Sequence, residues 1–224
     1  MAISASSLIE DVARYLSDFE EDESYVHWTQ EDLLSYFKRA VQIVAITKRD
    51  KFIRKLEFPL QVGAVQDIPE ACESDVSVYG VLDENGVVQE RPRKAKLSTY
   101  PKLGRPMCSS KIKSSTGYKM KSYELDPENP RVLLVDPPLK QGDEATLVVS
   151  CYQPPHITGM DSTVDIGGDL EPAIFELMLY YAWGVDIEDA ATRERSNTHW
   201  TNAMTLMKLN TDMQNLARSV RGQL

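Results

Sequence analysis

HWTQEDLLSYFKRAVQIVA, residues 27–45, decides how the chain is read. Thr29 and Asp32 have the spacing of a capping box, in which a hydroxyl and an acid three residues on satisfy each other's free backbone N–H groups. Leu33, Phe37, Ala40, Val41 and Val44 then recur on one stripe, the period of an amphipathic helix. Trp28 and Leu33 stand at the two positions of a hydrophobic staple around that box. One structural device thus accounts for Trp28, Thr29, Asp32 and Leu33, while His27 has no role assigned by the pattern.

Working outward, residues 1–55 read as helical. Ser7 and Glu10 have capping-box spacing ahead of Leu8, Ile9, Val12, Ala13 and Leu16, and the acidic linker SDFEEDES separates the two helices. Residues 56–168 read as strands with turns between them. Asn85-Gly86 between β-rich runs predicts a tight hairpin turn. Pro137-Pro138 and Pro154-Pro155 are expected to stop sheet pairing. The segment STYPKLGRPMCSSKIKSSTG is polar, basic and aperiodic, so it reads as a loop. Residues 169–224 read as a helix pair and tail. Pro172 sits at a helix start with Asp169 or Leu170 near the cap, Gly184 breaks the run, and a second helix ends before Gly222. The fold class is therefore α+β. A helical bundle is formed by the N- and C-terminal helices, 1–55 and 169–224, with an inserted antiparallel β domain over 56–168.

With 224 residues and 42% hydrophobic content, the chain is long enough for a sizeable core. A net charge of −9 argues against a protein that grips nucleic acid with its whole surface. The charge is uneven: residues 10–32 hold nine acids against Arg14 alone, and residues 89–121 hold ten bases against Glu90. Such polarity suits self-association or an ordered interface. Cys72, Cys108 and Cys151 fit neither a disulfide framework nor a zinc spacing, and are expected as free thiols of a reducing compartment. No signal peptide and no membrane span are expected.

A search for chemistry finds no metal motif around His27, His156 or His199, no phosphate-cradling glycine loop, and so no cofactor. Asp161, Asp165, Asp169 and Glu171 read as solvated carboxylates, and Ser109, Ser110, Ser114 and Ser115 lack a base in reach. Met204, Met207 and Met213 read as core. No catalytic site is expected. The basic stretch interleaved with Tyr100 and Tyr118 is the better candidate for a functional surface.

The order of these features carries a resemblance. VARYLSD and WTQEDLLSYFKRAVQIVA are followed by LEFPLQVGAVQDIPE, with Gly63, Gln66 and Pro69 in a Gly-x-x-Gln-x-x-Pro element. Then come YELDPENPRVLLVDPPL, a strand ending in CYQPP, and LEPAIFELMLYYAWGVDIEDAATRERSNTHWTNAMTLM. From about residue 8 to 210 this succession resembles the head-to-tail adaptor (connector) proteins of tailed bacteriophages, the group that includes podovirus tubular tail protein A. The long basic loop and the acidic linker depart from the commoner pattern.

The resemblance implies a structural, non-enzymatic virion protein, made in the host cytoplasm. It implies a homo-oligomeric ring, commonly a dodecamer, between the portal protein and the tail tube or nozzle protein. DNA would pass its lumen during packaging and ejection without sequence-specific binding, and no membrane is involved. Arg91, Arg93, Lys94, Lys96, Lys102 and Arg105 are the expected interface or DNA-facing residues. The C-terminal tail, with Arg218, Arg221 and Leu224, is the expected portal-docking segment. An alternative is a nucleic-acid-binding accessory protein using the basic loop 91–121.

Overall fold

A computed structural model describes residues 2–18, 25, 27–83, 85–95, 118–166, 168–185 and 189–221, with side chains as far as Lys208. The chain divides into two compact units, 1–52 with 154–224 and 53–153. The protein is α+β, with helices at both ends of the chain and antiparallel sheets between them.

In the first unit, strand β1 (Ala2–Ser4) pairs antiparallel with β9 (Thr163–Asp165) and leads straight into α1 (Ala5–Tyr15). This overturns the expected capping box at Ser7 and Glu10: the helix begins earlier, where the Ala5 N–H donates to the Ser162 carbonyl at 3.0 Å. A partner distant in sequence replaces the local cap. Leu8, Ile9, Val12 and Ala13 are buried as the stripe requires. Helix α1 closes on a Schellman motif, in which Asp18 N–H donates to Ala13 O and Ser17 N–H to Arg14 O. Ser17 takes the left-handed position at φ 57°.

Helix α2 (Gln30–Thr47) buries Leu33, Phe37, Ala40, Val41 and Val44. Helix α3 (Glu171–Trp183) has Pro172 in its first turn and is apolar nearly all round, because α2 packs on one side and α4 (Ala190–Arg221) on another. Thus helices from the two ends of the chain form the bundle, with α1 against α2 and α3. Met207 on α4 is buried in this core. His199 of α4, which the sequence leaves without a partner, lies 2.8 Å from Glu176 Oε2 of α3, and Asn202 donates to the same oxygen.

In the second unit, β2 (Ile53–Pro59), β8 (Thr146–Tyr152) and β4 (Ser74–Val81) form one sheet in the order β2-β8-β4. The other sheet runs β3 (Gly63–Asp67), β7 (Val132–Leu139), β6 (Ser122–Leu125), β5 (Arg93–Lys94), with β5 parallel to β6 and the rest antiparallel. Phe58, Val78, Leu147 and Val149 of the first sheet share one apolar core with Tyr123, Leu133 and Val135 of the second.

The Asn85-Gly86 turn forms as expected. Gly86 sits at φ 74°, Asp83 Oδ1 accepts from Asn85 and Val87 N–H, and Leu82 bridges Val88. The returning arm passes so close to Gly80 (φ 154°) that a Cβ there would meet Val88 Cγ1 at 2.9 Å. Only glycine fits that crossing. Gln66 is fully buried. It accepts from Gln61 N–H at 2.6 Å and donates to Gln61 and Gly63 carbonyls, so the Gly-x-x-Gln-x-x-Pro element is a stitched β2–β3 connection.

Two expectations fail in this unit. Strand β7 runs through Pro137-Pro138 instead of stopping before them. The pairing with β3 shifts register between Val65↔Leu134 and Gly63↔Leu139, and the prolines fall in that irregularity, where no ladder N–H is needed. Cys72 and Cys151, expected as free thiols, are joined in a disulfide. They are 79 residues apart in sequence, but Ser74 pairs with Tyr152 across β4 and β8, which brings their Cα atoms to 5.4 Å.

Candidate functional site

The entry to α2 shows how Trp28 is placed. The Thr29 hydroxyl accepts from Asp32 N–H at 3.1 Å, and Asp32 Oδ2 accepts from Thr29 N–H at 3.2 Å, so the capping box is complete. The chain just before it is held by Asp18, a buried carboxylate. Oδ1 accepts from His27 N–H at 2.7 Å and Oδ2 from Trp28 N–H at 3.0 Å. His27 thus contributes its backbone, while its side chain is exposed and stands edge-on to Trp28. The Trp28 ring packs edge-to-face on Trp183 of α3, centroids 6.1 Å apart.

Trp183 lines a half-open cleft of about 460 Å³ on the helical unit. Asp32, Ser35, Tyr36 and Arg39 of α2 form one wall, Tyr180, Tyr181, Trp183, Gly184 and Val185 another, and Arg193, Ser196 and Asn197 of α4 a third. Tyr36 stacks on Tyr181 at 6.1 Å, Arg39 lies over Tyr181 at 5.7 Å, and Arg195 lies over Trp183 at 5.3 Å. Tyr180 meets Trp200 at 5.1 Å. Burial, then the charge of Asp32, raises the Tyr36 hydroxyl above its ordinary pKa, with Arg39 opposing. Burial and Tyr180 raise Tyr181 likewise, again against Arg39. Both phenols therefore remain neutral donors. Among the described residues, Trp183 Nε1 is the buried side-chain polar atom that lacks a hydrogen-bond partner.

The β unit carries a second surface, built from the start of the basic stretch. Arg91 donates from Nη2 to Ser77 Oγ at 2.8 Å and from Nε to the Val78 carbonyl at 3.2 Å, and lies 5.4 Å from the Tyr79 ring. Lys55 Nζ stands 4.7 Å from the same ring. Arg93 and Lys94 form β5 and are exposed, and Lys119 approaches Glu90 at 3.5 Å. Tyr118 donates to the Pro137 carbonyl at 2.6 Å; burial, then Asp136, pushes its pKa up to about 12. Lys55 and Tyr79 were missed in the sequence, because strand pairing rather than adjacency brings them to Arg91.

Of the sequence-derived surface residues, Arg91, Arg93 and Lys94 are thus placed on the β unit. Lys96, Lys102, Arg105 and Leu224, with the linker acids 20–23 and the serines at 109, 110, 114 and 115, lie outside the described residues. Arg218 and Arg221 lie on the backbone of α4, their side chains outside what is described. Asp169 pairs with Lys51 at 3.4 Å, and among the described residues no three His, Cys, Asp or Glu side chains gather as a metal site. No helix among them is long and apolar enough to cross a membrane.

Arginine and aromatic rings, which both surfaces combine, are enriched at protein interfaces. The family of the SU10 adaptor protein matches residues 3–223, nearly the whole chain, and the chain belongs to that family. It is a structural adaptor of the phage virion, of the head-to-tail class. No curated protein matches the chain significantly.

Proposed function

We propose that the chain is a non-enzymatic subunit of a ring, a dodecamer, that joins the portal to the tail tube or nozzle and lets DNA pass during packaging and ejection. The observation that carries this reading is the family match, which runs through both units from residue 3 to 223. Charge distribution supports it. The helical unit carries 20 acids against 11 bases, and the β unit 14 of each, with ten of its bases inside residues 89–121. A surface divided this way favours oriented neighbours over random contact.

In this reading Arg91, Arg93 and Lys94, continued in sequence by Lys96, Lys102 and Arg105, face either the adjoining subunit or the DNA. The end of α4, with Arg218, Arg221 and Leu224, docks on the portal. Helix α4 has 32 residues and is about 48 Å long, against about 20 Å for the 13 residues of α3. It therefore has length to spare beyond α3 for such a contact. Reversing the charge of Arg91, Arg93, Lys94 and Lys96 abolishes ring assembly if these residues meet a neighbour, and alters DNA retention with intact rings if they meet DNA.

The direct test is native mass and negative-stain imaging of the purified protein with and without a portal ring. Closed rings, alone or on the portal, are expected; a monomer that never binds a portal overturns the reading. A second reading, a nucleic-acid-binding accessory protein, draws on the placement of Lys55 and Arg91 around Tyr79. It requires the isolated monomer to bind DNA with a steep dependence on salt.

A further inference from the structure

The cleft between α2, α3 and the start of α4 is a basic and aromatic island on the acidic unit of the chain. Arg39 and Arg193 line it with Tyr36, Tyr180, Tyr181 and Trp183, and Arg195 lies over the Trp183 ring at 5.3 Å. Among the described residues the one acid that lines it is Asp32, whose carboxylate is engaged by Thr29 in the capping box. Arg39 and Arg195 rest on ring faces, which fixes their guanidinium groups in position, and an arginine stacked this way can still donate from its edge. At its lip Val185 is 62% exposed, and Trp200, against Tyr180, is 37% exposed. Tyrosine, tryptophan and arginine around a concave, partly apolar surface are the composition of interface hot spots. The guanidinium groups can only donate, and the neutral phenols and the Asn197 amide can donate beside them. A fitting partner brings carboxylates.

The same unit supplies such a partner on a different face. Glu10 and Asp11 of α1 are exposed, and Asp11 has no partner among the described residues, while Glu10 stands 4.0 Å from Arg14. No α1 residue lines the cleft. In sequence this helix leads into Glu20, Glu21, Asp22 and Glu23. Two complementary patches at different places on one unit define a head-to-tail contact, which generates a closed ring when the rotation closes.

We propose that the cleft around Arg39, Tyr181 and Trp183 docks a second copy of this chain, which enters it with the acidic face of α1. The inference rests on the ring reading above and names the contact that builds the ring. It also leaves the basic stretch of the β unit to face the DNA.

The test is sedimentation velocity of the full-length protein, with circular dichroism to confirm that each variant is folded. Arg39→Glu with Arg195→Glu weakens self-association at least tenfold, and so does Glu10→Lys with Asp11→Lys. Mixing the two double variants restores assembly, because each cleft then meets an α1 face of opposite sign. Cleft variants that assemble like the wild type, or mixtures that remain dissociated, overturn the inference and leave the ring itself standing. A wild-type chain that never self-associates, with or without a portal ring, overturns both.

Discussion

Replacing Asp18 tests the structural logic of the helical unit at its most concentrated point. Asp18 is 2% exposed and its two carboxylate oxygens accept from His27 and Trp28 N–H at 2.7 and 3.0 Å. Its own carbonyl accepts from Tyr25 N–H at 2.9 Å, so one residue closes the connection from α1 to α2. A hydrogen bond to a charged group contributes about 1.5–3 kcal/mol. His27 is exposed and Trp28 half-buried, so water replaces part of what is lost, and the lower end of that range applies to each bond. Asp18→Ala is therefore expected to destabilise the unit by about 3 kcal/mol. Asp18→Asn keeps one acceptor but turns an amide NH₂ toward the other N–H, and is expected to lose about 2 kcal/mol. Urea denaturation followed by far-ultraviolet circular dichroism reads this as a midpoint lower by about 1–2 M. Tryptophan fluorescence should change as well, because the Trp28 ring loses its fixed position on Trp183. An alanine variant within 0.5 kcal/mol of wild type, a limit roughly that of an ordinary surface change, refutes the reasoning.

Three further outcomes follow from local geometry. Ser17 holds a left-handed conformation at φ 57° that glycine adopts without penalty, so Ser17→Gly should raise stability by about 1 kcal/mol, measured in the same urea experiment. The Cys72–Cys151 bond closes a separation of 79 residues, for which chain entropy gives about 4.5 kcal/mol; reduction or Cys72→Ala should lower the denaturation midpoint of the β unit accordingly, and an unchanged midpoint argues against the bond. Tyr118 is held protonated in the folded state up to about pH 12, so folding loses stability as pH rises from about 10, the unfolded value, toward 12; ultraviolet titration should show a tyrosine titrating near pH 12 that Tyr118→Phe removes.

What was legible in the sequence is what short-range physics fixes. Thr29 and Asp32 cap α2 because both partners lie within one helical turn, and the stripe from Leu33 to Val44 is buried because helical period alone puts it on one face. The Asn85-Gly86 turn was readable for the same reason. Failures occur where a distant segment intervenes. Ser7 and Glu10 have the right spacing, yet β9 pairs with β1 and sets the start of α1 upstream of them. Cys72 meets Cys151 only through the pairing of β4 with β8. Pro137 and Pro138 continue a strand because a register shift excuses their missing donors. The candidate surfaces divide along the same line. Arg91 announces itself in a basic run, but Lys55 and Tyr79 join it through the sheet, and the cleft around Tyr181 needs three helices from both ends of the chain. Asp18 looked like one acid among nine because its partners are backbone N–H groups nine and ten residues on.

Whether this adaptor builds the ring between portal and tail can be seen in a cryo-electron microscopy map of the neck of virions that carry it. A closed ring of this chain seated between portal and tail is expected, with the α4 ends on the portal and an α1 face in each neighbour's cleft. Density for the chain elsewhere in the particle, or as isolated copies making no contact with one another, would contradict it.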